Sequence, residues 1–317
     1  MVEGFPGVRR RLRAVKKGDR AAIRQEEEGR MITTRRATMV GLAATLLTLR
    51  MGQARAAAFE DALAGIEART GGRLGVAVLD TASGELTGRR LDERFPLCST
   101  FKTLAAAAVL ARIDGRQDSL DRRIVFERED LVPYSPVTEP RVGGAGMSLA
   151  ELCEAAVIRS DNTAGNLLLR ALGGPSGLNA YLRSVGDSVT RLDRTEPTLN
   201  EAAPGDLRDT TSPAAMVRTL GKLTLGSALS QPSRDRLTGW LLDNRTGGKR
   251  LRAGLPPGWR IGEKTGSGEN GTTNDAGVIW PPEGAAQVVA VYLTGTDRPM
   301  PEREAAIASV ATAVAAE

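Results

Sequence analysis

The chain has 317 residues, 41% of them hydrophobic and only 3% aromatic, enough for one large or two intimately packed domains with a core of Leu, Val, Ile and Ala. It contains no histidine, which excludes Ser-His-Asp and Cys-His catalysis and any imidazole metal site, so a working base has to be Lys, Asp, Glu, Tyr or water. The net charge of +5 belongs to the N-terminus: residues 1–56 hold 13 Lys/Arg and 5 Asp/Glu, and the 30 basic and 33 acidic residues that remain form no basic surface for nucleic acid.

In chain order, residues 31–56 come first, reading MITTRRATMVGLAATLLTLRMGQARA. The twin arginine Arg35-Arg36, the apolar run Met39–Leu49 and the small-residue site Ala54-Arg55-Ala56 together make a twin-arginine export signal. The run is too short to span a bilayer. Met31 is then the expected start, with residues 1–30 a mis-assigned or disordered extension and the mature chain opening between Ala57 and Phe59. No later segment is apolar enough to cross a membrane, so the product is expected to be exported to the periplasm or secreted, free of the membrane. Export permits a disulfide between Cys98 and Cys153, although two cysteines alone do not establish one.

Phe59–Thr70 has the periodicity of an amphipathic helix, with Phe59, Leu63 and Ile66 near one face. Arg73–Asp80 reads as a strand, turned at residues 81–84 into a second at Glu85–Arg89. From Pro96 to about Leu242 the periodic segments are helical. Strands return at Arg260–Ser267, Thr273–Trp280 and Gln287–Thr294, and a helix over Glu302–Ala315 closes the chain. This order predicts an α/β plus all-α fold, its antiparallel sheet built from both chain ends and flanked by the terminal helices. Residues 57–92 and 243–317 form the α/β domain in this reading, residues 93–242 the inserted all-helical domain, and the catalytic cleft lies between them.

Three short motifs carry the chemistry. Ser99 and Lys102 sit at i and i+3 on the first turn of a helix whose continuation, Thr103–Ile113, is apolar almost all round. A helix N-terminus favours negative charge on the serine oxygen, and an ammonium desolvated by that core can surrender its proton and act as a base. The plain alternative is a capping serine with a solvated lysine, for which an apolar stretch is a poor place. Ser160-Asp161-Asn162 follows the helical stretch Leu149–Ile158 and alone reads as a turn or N-cap. Lys264-Thr265-Gly266-Ser267 lies on a predicted strand, where a lysine can simply guard an edge. After residue 56 the chain has only four lysines, and two of them fall in these motifs.

In this order, the three motifs resemble those of the class A β-lactamases. The stretches Tyr134–Glu139, Ser160–Leu169 and Arg194–Asn200 extend the resemblance over essentially the whole mature chain. It implies a cyclic-amide hydrolase that opens penicillins and cephalosporins, confers antibiotic resistance, works as a monomer on its antibiotic and water, and needs neither cofactor nor metal. Ser99 would attack the lactam carbonyl and become acylated, with the backbone N–H groups of Ser99 and Ser267 forming the oxyanion hole. Ser160 would pass a proton to the departing nitrogen, and Asn162 would bind the acylamino group. Lys264, Thr265, Gly266 and Ser267, with Tyr134 and an arginine, would border the rest of the substrate. Arg250 and Arg298 are both candidates for that arginine, since Thr272 and Thr273 stand where other members place one. Glu196 and Asn200 are spaced to hold the water that hydrolyses the ester. The base of the first step is either Lys102 or Glu196 through water. Arg194 and Asp209 would close the neck of the loop carrying Glu196, and the Glu196–Pro197 peptide would be cis. Disulfide partners found in other members are missing at Ala106 and Gly268, which predicts two free thiols.

The rivals are a D,D-peptidase, a serine-dependent glutaminase, a sensor that stays acylated, and a purely structural protein. Glu196 with Asn200 argues against the first two, the lack of a tether against the third, and the motif order against the last. The run Lys264–Gly268, followed by Gly271–Asp275, resembles cephalosporin-hydrolysing members.

Overall fold

The computed structural model describes residues 55–316, together with Met1 and Arg24. The extension 1–30 and the export signal 31–56 therefore fall, but for Met1, Arg24, Arg55 and Ala56, outside the described residues. Five antiparallel strands form the main sheet: β1 (Arg73–Asp80), β2 (Leu86–Arg89), β3 (Arg260–Ser267), β4 (Thr273–Trp280) and β5 (Gln287–Thr294). Their spatial order is β2-β1-β5-β4-β3, so the first and last thirds of the chain meet where β1 pairs with β5.

Alternation along these strands separates two apolar layers. Leu74, Val76 and Val78 of β1, with Val289, Val291 and Leu293 of β5, face α1 (residues 55–70) and the C-terminal helix Met300–Ala315. Phe59, Leu63 and Ile66 supply the apolar stripe of α1. The intervening residues Ala77, Val288, Ala290 and Tyr292 belong instead to the larger core shared with the helical layer. Gly75 is required there, because a Cβ would stand 2.4 Å from the Phe95 ring.

The centre of the helical layer is α2 (Phe101–Asp114), buried without a break from Phe101 to Leu110. Its run of alanines lets neighbouring helices approach closely on every side. Around it lie α3 (Leu149–Ile158), α4 (Asn162–Leu172) and α5 (Pro175–Ser184); α6 (Pro213–Thr224) packs on β1, β4 and β5 of the sheet, and α7 (Gln231–Leu242) lies against α2 again. The α/β plus all-α reading holds, with both chain ends in the sheet. Three boundaries move: the first helix is already formed at residue 55 rather than starting at Phe59, β2 starts at Leu86 rather than Glu85, and the last helix starts at Met300, directly after Pro299. Prolines suit such a start because their missing N–H has no helical partner there.

Candidate active site

Ser99 stands in a 3-10 turn, Cys98–Thr100, just ahead of α2, and Cys98 holds a left-handed φ of 44° to form it. The side chain of Lys102, one turn on, is fully buried and finds its partners from three segments. Its Nζ donates to Ser99 Oγ at 2.9 Å, to the Ser160 carbonyl at 2.8 Å and to Asn162 Oδ1 at 2.5 Å. Glu196 Oε1 is 2.9 Å away, and both side chains of this ion pair have no exposed surface. Burial pulls the Lys102 pKa below its ordinary value, opposed by the charge of Glu196. Its solvated alternative is therefore excluded.

Glu196 also accepts a hydrogen bond from Ser99 Oγ at 3.2 Å, while its other oxygen accepts from Asn200 Nδ2 at 2.5 Å. The peptide joining it to Pro197 is cis. The neck of its loop is closed as the pairing of Arg194 with Asp209 requires: Arg194 Nε donates to Asp209 Oδ2 at 2.6 Å. Asp209 Oδ1 also accepts from the backbone N–H groups of Asp193 and Arg194, at 2.7 and 2.9 Å. This buried carboxylate does more than a weak surface bridge, because it gathers both limbs of the loop at one point.

Ser160 adopts φ 58° between α3 and α4. Asp161 then caps α4 and accepts from the backbone N–H groups of Val137 and Thr138, at 2.8 and 3.0 Å. That anchors the neighbouring loop, whose Tyr134 stands 60% exposed at the rim of the cleft. Lys264 lies on β3, the edge strand, but is buried rather than guarding the edge. Its Nζ donates to Ser160 Oγ at 2.9 Å and to the Thr265 carbonyl at 2.8 Å. Burial first, then repulsion from Lys102 and Arg250, holds its pKa well below the usual lysine value. Serine and lysine thus alternate, with Lys102 against Ser99 and Lys264 against Ser160. Protons can be exchanged at two serine oxygens without any imidazole.

Ser99, Ser160, Asn162, Asn200, Thr265 and Ser267 line one cleft of about 480 Å³, with Gly266 between the last two. Arg250 borders it too, donating to Gly266 O, Asn274 O and Ser267 Oγ, each at 2.8 Å. Arg298, the alternative, points elsewhere: it is 53% exposed, pairs with Glu302, and lines a separate groove with Ile66 and Ser309. Thr272 and Thr273 are buried; Thr272 meets Thr294 and Thr273 meets Met300. Cys98 and Cys153 are both buried and free, as the missing partners predict. Burial pushes both thiols up.

Several residues of the site escaped sequence reasoning. Asn166 clasps the Glu196 peptide from both sides, donating to its carbonyl and accepting from its N–H, each at 2.9 Å. Its signal was present, since Asn162 and Asn166 share a helix face at i and i+4. Gly165 was legible as well, because a mid-helix glycine costs about 1 kcal/mol and needs a reason. A Cβ there would stand 2.9 Å from Lys102 Cε. Arg245 and Thr246 also border the cleft, Thr246 Oγ1 lying 2.5 Å from Thr265 Oγ1. Nothing local in the sequence marked them.

A sheet made from both chain ends, a helical layer around α2, and a serine in contact with a buried lysine and glutamate define a serine hydrolase of the β-lactamase type. The β-lactamase enzyme family matches residues 58–317. The chain is similar to β-lactamase OXY-1 of Klebsiella oxytoca, at 47% identity over 282 residues, spanning 88% of this chain and 97% of that one. It is 49% identical over 252 residues to β-lactamase CTX-M-8 of Citrobacter amalonaticus, spanning 80% and 86% respectively. Among solved structures, the class A β-lactamase described as the last common ancestor of Gram-negative bacteria superposes with a TM-score of 0.80 at 64% identity, over 82% of this chain and 98% of that one. The chain belongs to this family and is a class A serine β-lactamase.

Proposed function

We propose that this enzyme opens penicillins and cephalosporins through an acyl-enzyme on Ser99 and releases the product with water activated by Glu196. Ser99 Oγ attacks the lactam carbonyl and yields its proton to Lys102, or to Glu196 through a water; the C–N bond then breaks. The departing nitrogen takes a proton from Ser160, beside Lys264, and the proton that Ser99 released is passed on to Ser160 through Lys102, so that Ser160 and the base end the step in their starting protonation states. Backbone N–H groups of Ser99 and Ser267 hold the carbonyl oxygen. Asn162 and Asn200 border the acylamino side, while Lys264, Thr265 and Arg250 take the substrate carboxylate. In the second half, water attacks the ester, Glu196 accepts its proton and Ser99 is restored.

The observation that carries this reading is the Glu196 carboxylate, 3.2 Å from the nucleophile's oxygen and held from its far side by Asn200. A D,D-peptidase or an acylated sensor has no use for a carboxylate placed there. The reading includes export by the twin-arginine route to the periplasm, action as a monomer, and a sheet domain of 57–92 with 243–317 enclosing the helical residues 93–242. Steady-state hydrolysis of benzylpenicillin, cefotaxime and imipenem by the purified protein tests it. Turnover of the first two supports the assignment, and covalent binding without release overturns it.

A further inference from the structure

We propose that Asn274 is a positioning residue for the oxyanion hole, setting the separation of its two N–H donors. The inference rests on the acyl-enzyme reading above. Those donors, on Ser99 and Ser267, lie far apart in the chain and belong to different structural pieces, the turn before α2 and the edge strand β3. Since β3 pairs on one side only, its distance from the turn is not set by the sheet.

Asn274 occupies the β4 position directly opposite Gly266 of β3. Strand alternation puts its side chain on the helical face, where it is fully buried. Its Nδ2 donates to the carbonyls of Pro96 and Leu97, at 2.8 and 3.2 Å. Leu97 immediately precedes the left-handed Cys98, so this amide grips the backbone that enters the nucleophile turn. The approach is close: a Cβ on Gly266 would stand 3.0 Å from Leu97 O and 3.3 Å from Asn274 Nδ2. From the other side, Arg250 Nη1 binds the carbonyls of both Asn274 and Gly266. Turn, β4 and β3 are thereby tied through one residue.

The amide's orientation follows from its neighbours, since turning it over would aim its oxygen at two carbonyl oxygens. Its Oδ1 is buried and has no partner. A buried acceptor left unsatisfied is destabilising, so stability alone does not account for an asparagine here. What the side chain supplies is a geometric link between the two halves of the hole.

The test uses Glu196→Gln protein, in which the ester should accumulate, with and without Asn274→Ala or the similarly sized Asn274→Leu. The acyl carbonyl stretch, read by infrared difference spectroscopy after addition of benzylpenicillin, reports how strongly the hole polarises the ester. Asn274 variants should move that band to higher frequency. In the Glu196 background of the native protein they should slow acylation roughly tenfold, short of the ~10²–10³-fold expected for outright loss of a donor. KM should change far less than kcat. If the variants merely lower the melting temperature while band and acylation rate stay put, Asn274 is structural and the proposal falls. If Glu196→Gln alone turns benzylpenicillin over at a near-native rate with no ester formed, the acyl-enzyme reading fails and takes this proposal with it.

Discussion

Glu196→Gln preserves shape and deletes one charge, which makes its consequences separable. In the native protein the carboxylate pairs at 2.9 Å with Lys102, both side chains being fully buried. Breaking such a pair costs about 3–5 kcal/mol while the survivor remains charged. Lys102 has an escape, because burial already pulls its pKa down and Glu196 leads the opposition to that pull. In the variant the lysine sheds its proton, which holds the stability loss near the lower bound, about 3 kcal/mol or less. Asn200 Oδ1, buried without a partner, can turn to accept from the introduced amide. The kinetic loss should be larger. Removing a general base slows its step by about 10²–10⁴, equivalent to roughly 3–5 kcal/mol on the deacylation barrier. Intact-protein mass spectrometry after mixing with benzylpenicillin should show a persistent adduct, and rapid-quench kinetics should place the loss in deacylation. The acylation rate then separates the two candidate first bases: it survives if Lys102 serves and falls alongside deacylation if Glu196 does. Turnover within tenfold of wild type, with no adduct, would refute the assigned role.

Asp209→Ala strips the loop neck of a carboxylate that holds Arg194 and two backbone N–H groups. It should cost about 2–4 kcal/mol in urea unfolding and slow deacylation more than acylation. Arg250→Ala removes three 2.8 Å hydrogen bonds that brace β3 beside the cleft, together with the cation at that end. KM for benzylpenicillin should rise about 10–100-fold, matching the ~1.5–3 kcal/mol of a hydrogen bond to a charged group, and an unchanged KM would remove Arg250 from substrate binding. Glu263 is buried beside Asp275, and desolvation, then that neighbour's charge, pushes its pKa up to about 9. A carboxyl with a raised folded pKa stabilises fully below its unfolded value of 4.5, and the contribution is lost as pH rises toward about 9. The melting temperature of Glu263→Gln relative to wild type should therefore climb with pH across that window. A constant difference would show that Glu263 titrates normally.

The elements were legible because their periods are strong. Alternating Val and Leu in β1 and β5, and the 3.6-residue stripe of α1, leave little choice of structure. The ends were less so, since helix starts depend on which carbonyls and N–H groups find partners. In the site, Ser99, Lys102, Ser160, Glu196 and Lys264 were legible as types in a familiar order. Arg250 and Arg298 were not separable, because both are cations near a strand of the site and only packing shows that one points into the cleft and the other toward solvent. Asn274 was silent for a related reason: it acts on backbone atoms of Pro96 and Leu97 brought near only by folding.

By itself, then, the amino-acid order determined what chemistry is available: no imidazole, a serine and a lysine on one helical turn, a further serine and a further lysine downstream, and a glutamate with an asparagine four residues on. It also determined that both chain ends supply strands, since hydrophobic period is a local property. Tertiary structure alone decided the protonation landscape. Desolvation depresses both lysines; at Lys264 the charges of Lys102 and Arg250, far away in sequence, add to it, whereas at Lys102 the charge of Glu196 opposes it. Burial is a property of the whole packed chain, and fields act across space without regard to position along it.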